Sequence, residues 1–285
     1  MDARKILLTA LQQRANTCLL ERRRSEESFS EAAIHDLRVA VRRLLALIEL
    51  LNTIAPQARL IKLRRSLKKQ LDSLDDLRDT QVMLAEIEAS LESLPDLAQF
   101  QKYLQQRETQ LLIAAEHDVR VFKSRANSRN LEITFQQLAN PSDNLDFSAC
   151  MLATVDQAYS IVIQRLSLVD PSKPASIHSV RVAFKKFRYM IEIICPILAD
   201  FPKTQFKSMQ GYQTTMGKIQ DTEVFLQTLT DFSARHKTYG TNAAHSFYEQ
   251  RHADLINTYI QNMHALTLFW RKTPESNFPW ETKAL

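Results

Sequence analysis

Ile34-His35-Asp36-Leu37-Arg38-Val39-Ala40-Val41-Arg42-Arg43 returns 143 positions later as Ile177-His178-Ser179-Val180-Arg181-Val182-Ala183-Phe184-Lys185-Lys186. The same offset relates Ile48-Glu49 to Ile191-Glu192. A second block, Leu74 to Leu84 (LDDLRDTQVML), aligns with Met216 to Leu226 (MGKIQDTEVFL) at an offset of 142, sharing Asp79/Asp221, Thr80/Thr222 and Val82/Val224. Two blocks in the same order, with offsets one residue apart, point to duplication of a unit of about 140 residues.

Within each copy the apolar residues recur at helical spacing. Ile34, Leu37, Val41, Leu44, Ile48 and Leu51 form one face of a helix, and Ile177, Val180, Phe184, Phe187, Ile191 and Ile194 form its counterpart. The rest of the chain agrees with this reading. Only 3 of 285 residues are Gly, while Leu, Ala, Gln, Arg, Lys and Glu dominate. Such residues lose little side-chain freedom in a helix, and hairpins are starved of turn residues. The fold class is therefore all-α.

Breakers and caps divide the chain. The aperiodic cluster Asn140-Pro141-Ser142-Asp143-Asn144 falls where the repeat demands a junction, giving a first half over 1–139, a second over 144–273 and an irregular tail over 274–285. Each half reads as about four helices. The first has 2–24, 30–53, a kinked 58–92 and 96–137. The second has 146–168, 176–197, 203–236 kinked near Gly217, and 242–271. Ser28-Phe29-Ser30-Glu31 offers a capping box to the first basic helix, and Ser176 a cap to the second, after the breaker Asp170-Pro171-Ser172-Lys173-Pro174.

Several function classes find no support. No apolar run is long enough to span a bilayer, and no apolar N-terminal stretch leads to a small-residue cleavage site. Cys18, Cys150 and Cys195, odd in number and embedded in helical pattern, read as buried free thiols of a reducing compartment. The G-x-x-x-x-G-K-[ST] phosphate loop is absent, as are H-x-x-x-H and H-E-x-x-H spacings. Neither a metal site nor a cofactor is expected.

The charge pattern is more telling than the net charge of +5. Residues 35–69 carry nine Lys/Arg against two Asp/Glu and residues 178–218 carry seven against two, leaving the remainder acidic. At 100° per residue His35, Arg38 and Arg42 share a stripe that continues to Leu45 and Glu49; the second copy has His178, Arg181, Lys185, Arg188 and Glu192. The far flank of each stripe is apolar too (Val39 and Ala46; Val182 and Tyr189), as for a basic row enclosed by neighbouring helices. Arg43 and Lys186 sit further round, toward water. Like charges in a partly dry groove repel and lose hydration, a cost that an anionic ligand relieves, and the guanidinium fork suits phosphate oxygens. Two other readings stay open: internal salt bridges to acids such as Asp79 and Asp221, and plain solvated helix faces. On the next helix Arg65 aligns with Lys207, so both are counted as ligand-facing, while Lys62, Arg64, Lys68 and Lys69 read as a solvated face. His35 and His178 either donate to a phosphate or orient a neighbour. A cation three residues away argues against a metal.

The I-H-x-x-R-V-A-x-[RK]-[RK] block in both copies, followed by R-D-T-x-V and Q-D-T-x-V, resembles the CHAD family, the conserved histidine α-helical domain, over nearly the whole chain. The resemblance implies a single domain of two four-helix bundles related by a pseudo-two-fold axis, with a basic central cavity that binds inorganic polyphosphate. It also implies a cytoplasmic setting, for several members at polyphosphate granules. Carried onto this chain, the family's positions are His35, Arg38, Arg42 and Arg43 with His178, Arg181, Lys185, Lys186 and Arg188. Two positions depart. Leu45 stands where the second copy has Arg188, and Leu74-Asp75 stands where a Leu-Gly pair is usual and Met216-Gly217 fits. An asymmetric site is expected, with Arg188→Ala more damaging to binding than Leu45→Ala.

The E-x-E-x-K strand pattern of the triphosphate-hydrolysing CYTH module, to which relatives are often fused, is absent. The chain is therefore read as a binding protein and not an enzyme. A nucleic-acid-binding protein is the first alternative, but Phe184, Phe187 and Phe206 lie at core spacing and leave no evident stacking platform. A helical scaffold with incidental charge is the second. No membrane partner is expected.

Overall fold

A computed structural model describes residues 2–121, 124–140, 145–236 and 240–281. Among the described residues there is no strand. Helices α1 (Ala3–Glu27), α2 (Glu31–Ile54), α3 (Ala58–Asp72), α4 (Asp75–Ser90), α5 (Ala98–Val121) and α6 (Ser124–Ala139) precede the junction. Helices α7 (Phe147–Leu166), α8 (Pro174–Ile194), α9 (Thr204–Arg235) and α10 (Asn242–Asn262) follow it. Residues 141–144 of the expected junction lie outside the described residues. None of the described helices is long and apolar enough to cross a membrane.

The two basic helices occupy the middle of the molecule because their apolar faces are almost continuous. Ile34, Leu37, Val41, Leu44, Ile48 and Leu51 of α2 are all buried, as are Ile177, Val180, Phe184, Phe187, Ile191 and Ile194 of α8. At about 1.5–3 kcal/mol for each large apolar side chain removed from water, these faces fix both helices inward. Helix α2 packs between α1 and α3, and α8 between α7 and α9. The two sets then meet, α2 against α7 and α8, with α1 also touching both. One hydrophobic cluster accordingly runs through Leu47, Leu63, Val155 and Phe187 without a seam. A second cluster closes the distal end, where Ile87 and Phe100 of α4 and α5 pack on Phe225, Phe232 and Tyr248 of α9 and α10.

Several expected boundaries shift. The kink foreseen within 58–92 is a break: α3 ends at Asp72, Ser73 caps it, and α4 restarts at Asp75. Helix α9 instead runs uninterrupted past Gly217, which adopts no positive φ. Of the helix expected over 96–137, α5 and α6 account for the described residues from Ala98 to Ala139, with 122–123 outside the described residues, and 242–271 gives way to a 3-10 segment from Met263. Ser30 caps α2 by accepting from Ala33 N at 3.3 Å, but Glu31 completes no capping box and reaches Arg78 at 2.9 Å instead. Helix α8 begins at Pro174, whose missing N–H costs nothing in a first turn. Ser176 therefore sits inside the helix and ties down its loop, donating to Lys173 O at 2.7 Å and accepting from Asp170 N at 3.0 Å. Of the three thiols only Cys18 is buried; Cys150 and Cys195 are half-buried. The tail is irregular in backbone yet docked as far as Glu281, and 282–285 lie outside the described residues. Phe278 stacks on Trp280 at 4.5 Å, Trp270 meets Phe278 edge-on, and Trp280 Nε1 donates to Ala199 O.

Candidate functional site

The packing of α2 on α8 brings the two basic rows together. Arg42 is subject to repulsion from Arg38 on its own helix and Arg181 on the other. Lys185 is repelled by Arg42, Arg181 and Arg38. Four cations from two distant stretches of sequence thus share one environment. Its cost is visible in Lys185, whose ammonium is pushed down from 10.5 to about 7, first by loss of water and then by those three arginines. Loss of water also lowers Arg42, with Tyr189 and Asp75 pulling the other way.

Carboxylates compensate only in part. Asp75 Oδ1 lies 2.6 Å from Nη2 of Arg38, a side chain 4% exposed, and 3.9 Å from Nη2 of Arg42. Among the described residues, neither Arg181 nor Lys185 has a carboxylate within ion-pair distance, and Arg181 Nε is buried without a hydrogen-bond partner. The repeated acids Asp79 and Asp221 flank the rows without bridging to them. Loss of water raises both carboxyl groups; Asp75 and Asp221 push Asp79 further up, while Arg38 opposes. Asp221 is exposed as a residue, yet protein crowds its carboxylate, and Arg181, Arg78 and Lys185 offset that effect. The salt-bridge alternative therefore describes Arg38 and, more loosely, Arg42, and among the described residues leaves Arg181 and Lys185 unpaired.

The residues further round do something different. Arg43 Nε reaches Glu192 at 3.4 Å, and Lys186 Nζ reaches Glu49 at 3.0 Å. These two bridges are each other's image under the sequence repeat, and both cross between α2 and α8. Glu192 also holds Arg188 at 3.6 Å and Arg14 at 4.0 Å. Arg43 and Lys186, about half-exposed, thus clasp the two copies together, while Arg188 reaches the same Glu192 carboxylate from one turn earlier on α8. Arg14 went unnoticed in the sequence because the repeat offers Gln157 opposite it, so no doubled signal exists. It donates to Arg43 O at 2.6 Å, and loss of water pushes its guanidinium down to about 10.

The histidines diverge as well. His35 is exposed, with Nδ1 3.2 Å from Asp36 Oδ1. His178 lies among Gln220, Arg181, Glu223 and Lys185; loss of water lowers its pKa first, and the hydrogen bond with Gln220 opposes this. Arg65 and Lys207 are both exposed and form no ion pair among the described residues. The expected apolar flank is present at Ala46 and Tyr189, both buried, whereas Val182 is 50% exposed. No group of three or more His, Cys, Asp or Glu suited to a metal occurs among the described residues.

A cavity of about 1120 Å³ lies elsewhere, between α7 and the C-terminal segment. None of the row residues lines it, and its one carboxylate among the lining residues, Asp156, is already held by Trp270 Nε1 at 2.7 Å and by Nε and Nη2 of Arg271. A smaller one of about 160 Å³, between α4, α9 and α10, has Asp221 on its wall beside Lys218 and Glu86.

Comparison with known proteins agrees with this geometry. No curated protein matches the chain. Among solved structures, the crystal structure of the CHAD domain from the plant Ricinus communis superimposes with a TM-score of 0.67 over 93% of this chain and 89% of that one, at 17% identity. At such low identity the likeness speaks for the fold alone. The profile of the CHAD domain matches residues 9–230, a span that takes in α2, α8 and both repeated blocks. On that match, and with the two histidine-and-arginine helices packed face to face, the chain belongs to the CHAD domain family.

Proposed function

We propose that the protein binds inorganic polyphosphate without hydrolysing it, along a basic channel between its two halves. The halves, 1–139 and 144–273, act together as two helical bundles about a pseudo-two-fold axis, with the tail 274–285 outside the repeat. Arg38, Arg42, Arg181 and Lys185 form the heart of the site. His35, His178 and Arg188 flank it, and Arg65 and Lys207 extend it along the surface. Arg43 and Lys186 join once a chain of phosphates competes for them with Glu192 and Glu49. The observation that carries this reading is the convergence of four cations across α2 and α8, with no carboxylate within ion-pair distance of Arg181 or Lys185 among the described residues. Polyphosphate supplies negative charge at short, regular intervals, and each cation neutralised releases a counterion into solution, so affinity falls as salt rises. The expected place of action is the cytoplasm, at polyphosphate granules.

Binding to long-chain polyphosphate, duplex DNA and single-stranded RNA, measured at matched and increasing salt, tests the proposal. Polyphosphate binds most tightly and weakens with salt; equal affinity for RNA would favour a nucleic-acid role, and no binding would leave a scaffold. A phosphate-release assay stays at background.

A further inference from the structure

The two basic rows match in sequence but differ in what sits on them. Asp75 Oδ1 is 2.6 Å from Arg38 and 3.9 Å from Arg42, and its charge also reaches Lys185 of the opposite row. In the second copy the position aligned with Asp75 is Gly217. A Cβ placed there would lie 3.8 Å from Nε and 3.9 Å from Nη2 of Arg181. Arg181 therefore covers the same helix position that Arg38 covers, with the carboxylate missing. Its Nε is buried and has no partner. One wall of the site carries a bridging carboxylate; on the other, Asp221 acts on Arg181 and Lys185 without bridging to either.

Asp75 is built to leave. It occupies the first position of α4, directly after the break at Ser73-Leu74, and its side chain is 47% exposed. It reaches water by rotating, whereas Arg38, 4% exposed, stays buried. We propose that Asp75 is a resident anion occupying one phosphate position of the site, so that a polyanion engages Arg181 and Lys185 first and gains Arg38 and Arg42 by displacing it. The inference rests on the reading that these rows hold phosphate, and it adds a selection rule. A tethered carboxylate competes at high effective concentration against a lone phosphate, but a chain already anchored on the second row brings its next phosphates at comparable concentration. Asp75 thus discriminates against short anions in favour of long ones.

The test is calorimetric titration of the full chain with pyrophosphate and with long-chain polyphosphate at fixed salt, comparing wild type, Asp75→Asn, Asp75→Gly and Gly217→Asp. Removing the Asp75 charge tightens binding by about fivefold, given a half-exposed carboxylate, with the larger gain for pyrophosphate. Gly217→Asp meets only the Arg181 side chain, at ordinary contact distance, and it weakens binding by a similar factor; thermal melts confirm that each variant folds. If wild type binds polyphosphate and both Asp75 variants bind no better, the resident-anion proposal is overturned while polyphosphate binding stands. Binding by the Asp75 variants alone would support it in its strongest form. If no protein binds, the functional reading fails and takes this inference with it.

Discussion

Lys185→Met is the most informative perturbation, because the site should trade stability for binding at that residue. The ammonium's folded-state pKa of about 7 lies below its free value of 10.5. Between those values the unfolded chain binds more protons, so this group makes stability rise with pH; below about 7 it is charged in both states and its full penalty stands. At about 1.4 kcal/mol per unit, the depression sets a ceiling of roughly 5 kcal/mol. Relaxation and residual water reduce this, leaving about 2 kcal/mol. Methionine keeps the length of the apolar stem and removes the charge. Urea denaturation of both proteins at pH 6, 8 and 10 should show the variant more stable by about 2 kcal/mol at pH 6, with the gain shrinking toward pH 10. Polyphosphate affinity should fall in the same variant. A variant less stable than wild type at pH 6, or a gain that stays flat across the range, would refute the argument that Lys185 is held charged against its surroundings.

Other expectations follow from the same contacts. Polyphosphate affinity of the wild type should drop as pH rises from 7 to 9, since Lys185 must take up a proton to bind; Lys185→Arg should flatten the profile, and an unchanged profile would count against the assignment. Glu192→Gln leaves Arg14, Arg43 and Arg188 without their common carboxylate and should destabilise by about 1–2 kcal/mol, less at high salt; a salt-independent urea midpoint shift would speak against a charge effect. Arg188→Ala should weaken polyphosphate binding more than Leu45→Ala, and equal losses in titration would remove the expected asymmetry at that pair. Phe184→Ala, which opens a void beside Tyr212, Phe187 and Phe269, should lose about 3–5 kcal/mol in chemical denaturation. A loss below about 1 kcal/mol would mean the void collapses freely.

What the sequence made legible was whatever it said twice. The apolar faces of α2 and α8 were readable position by position, because burial at period 3.6 leaves the same mark wherever it occurs. The repeat then marks Arg38, Arg42, Arg181 and Lys185 as equivalent positions. Features present in one copy only were harder to see. Arg14 faces Gln157 in the alignment, so nothing marked it as the residue that bonds to the backbone of Arg43. Asp75 was visible as a departure from Gly217, but not as a carboxylate resting on Arg38. The break itself was hidden because neither Ser73 nor Leu74 is a Gly or Pro. Likewise Arg43 and Lys186 looked like water-facing charge, and only the crossing of α2 over α8 supplies their carboxylates.

The crossed bridges Arg43–Glu192 and Lys186–Glu49 obey the contact rule of a two-fold homodimer, in which each contact across the interface occurs twice with the roles exchanged. A homodimer must keep both walls of an axial groove identical, since one gene writes both. Joined in a single polypeptide, the copies can drift apart while the bridges hold them in register, and Leu45 opposite Arg188 shows that they have. In the proposed groove the two walls are therefore unlike, so a threadlike ligand with no sidedness of its own still meets a left and a right.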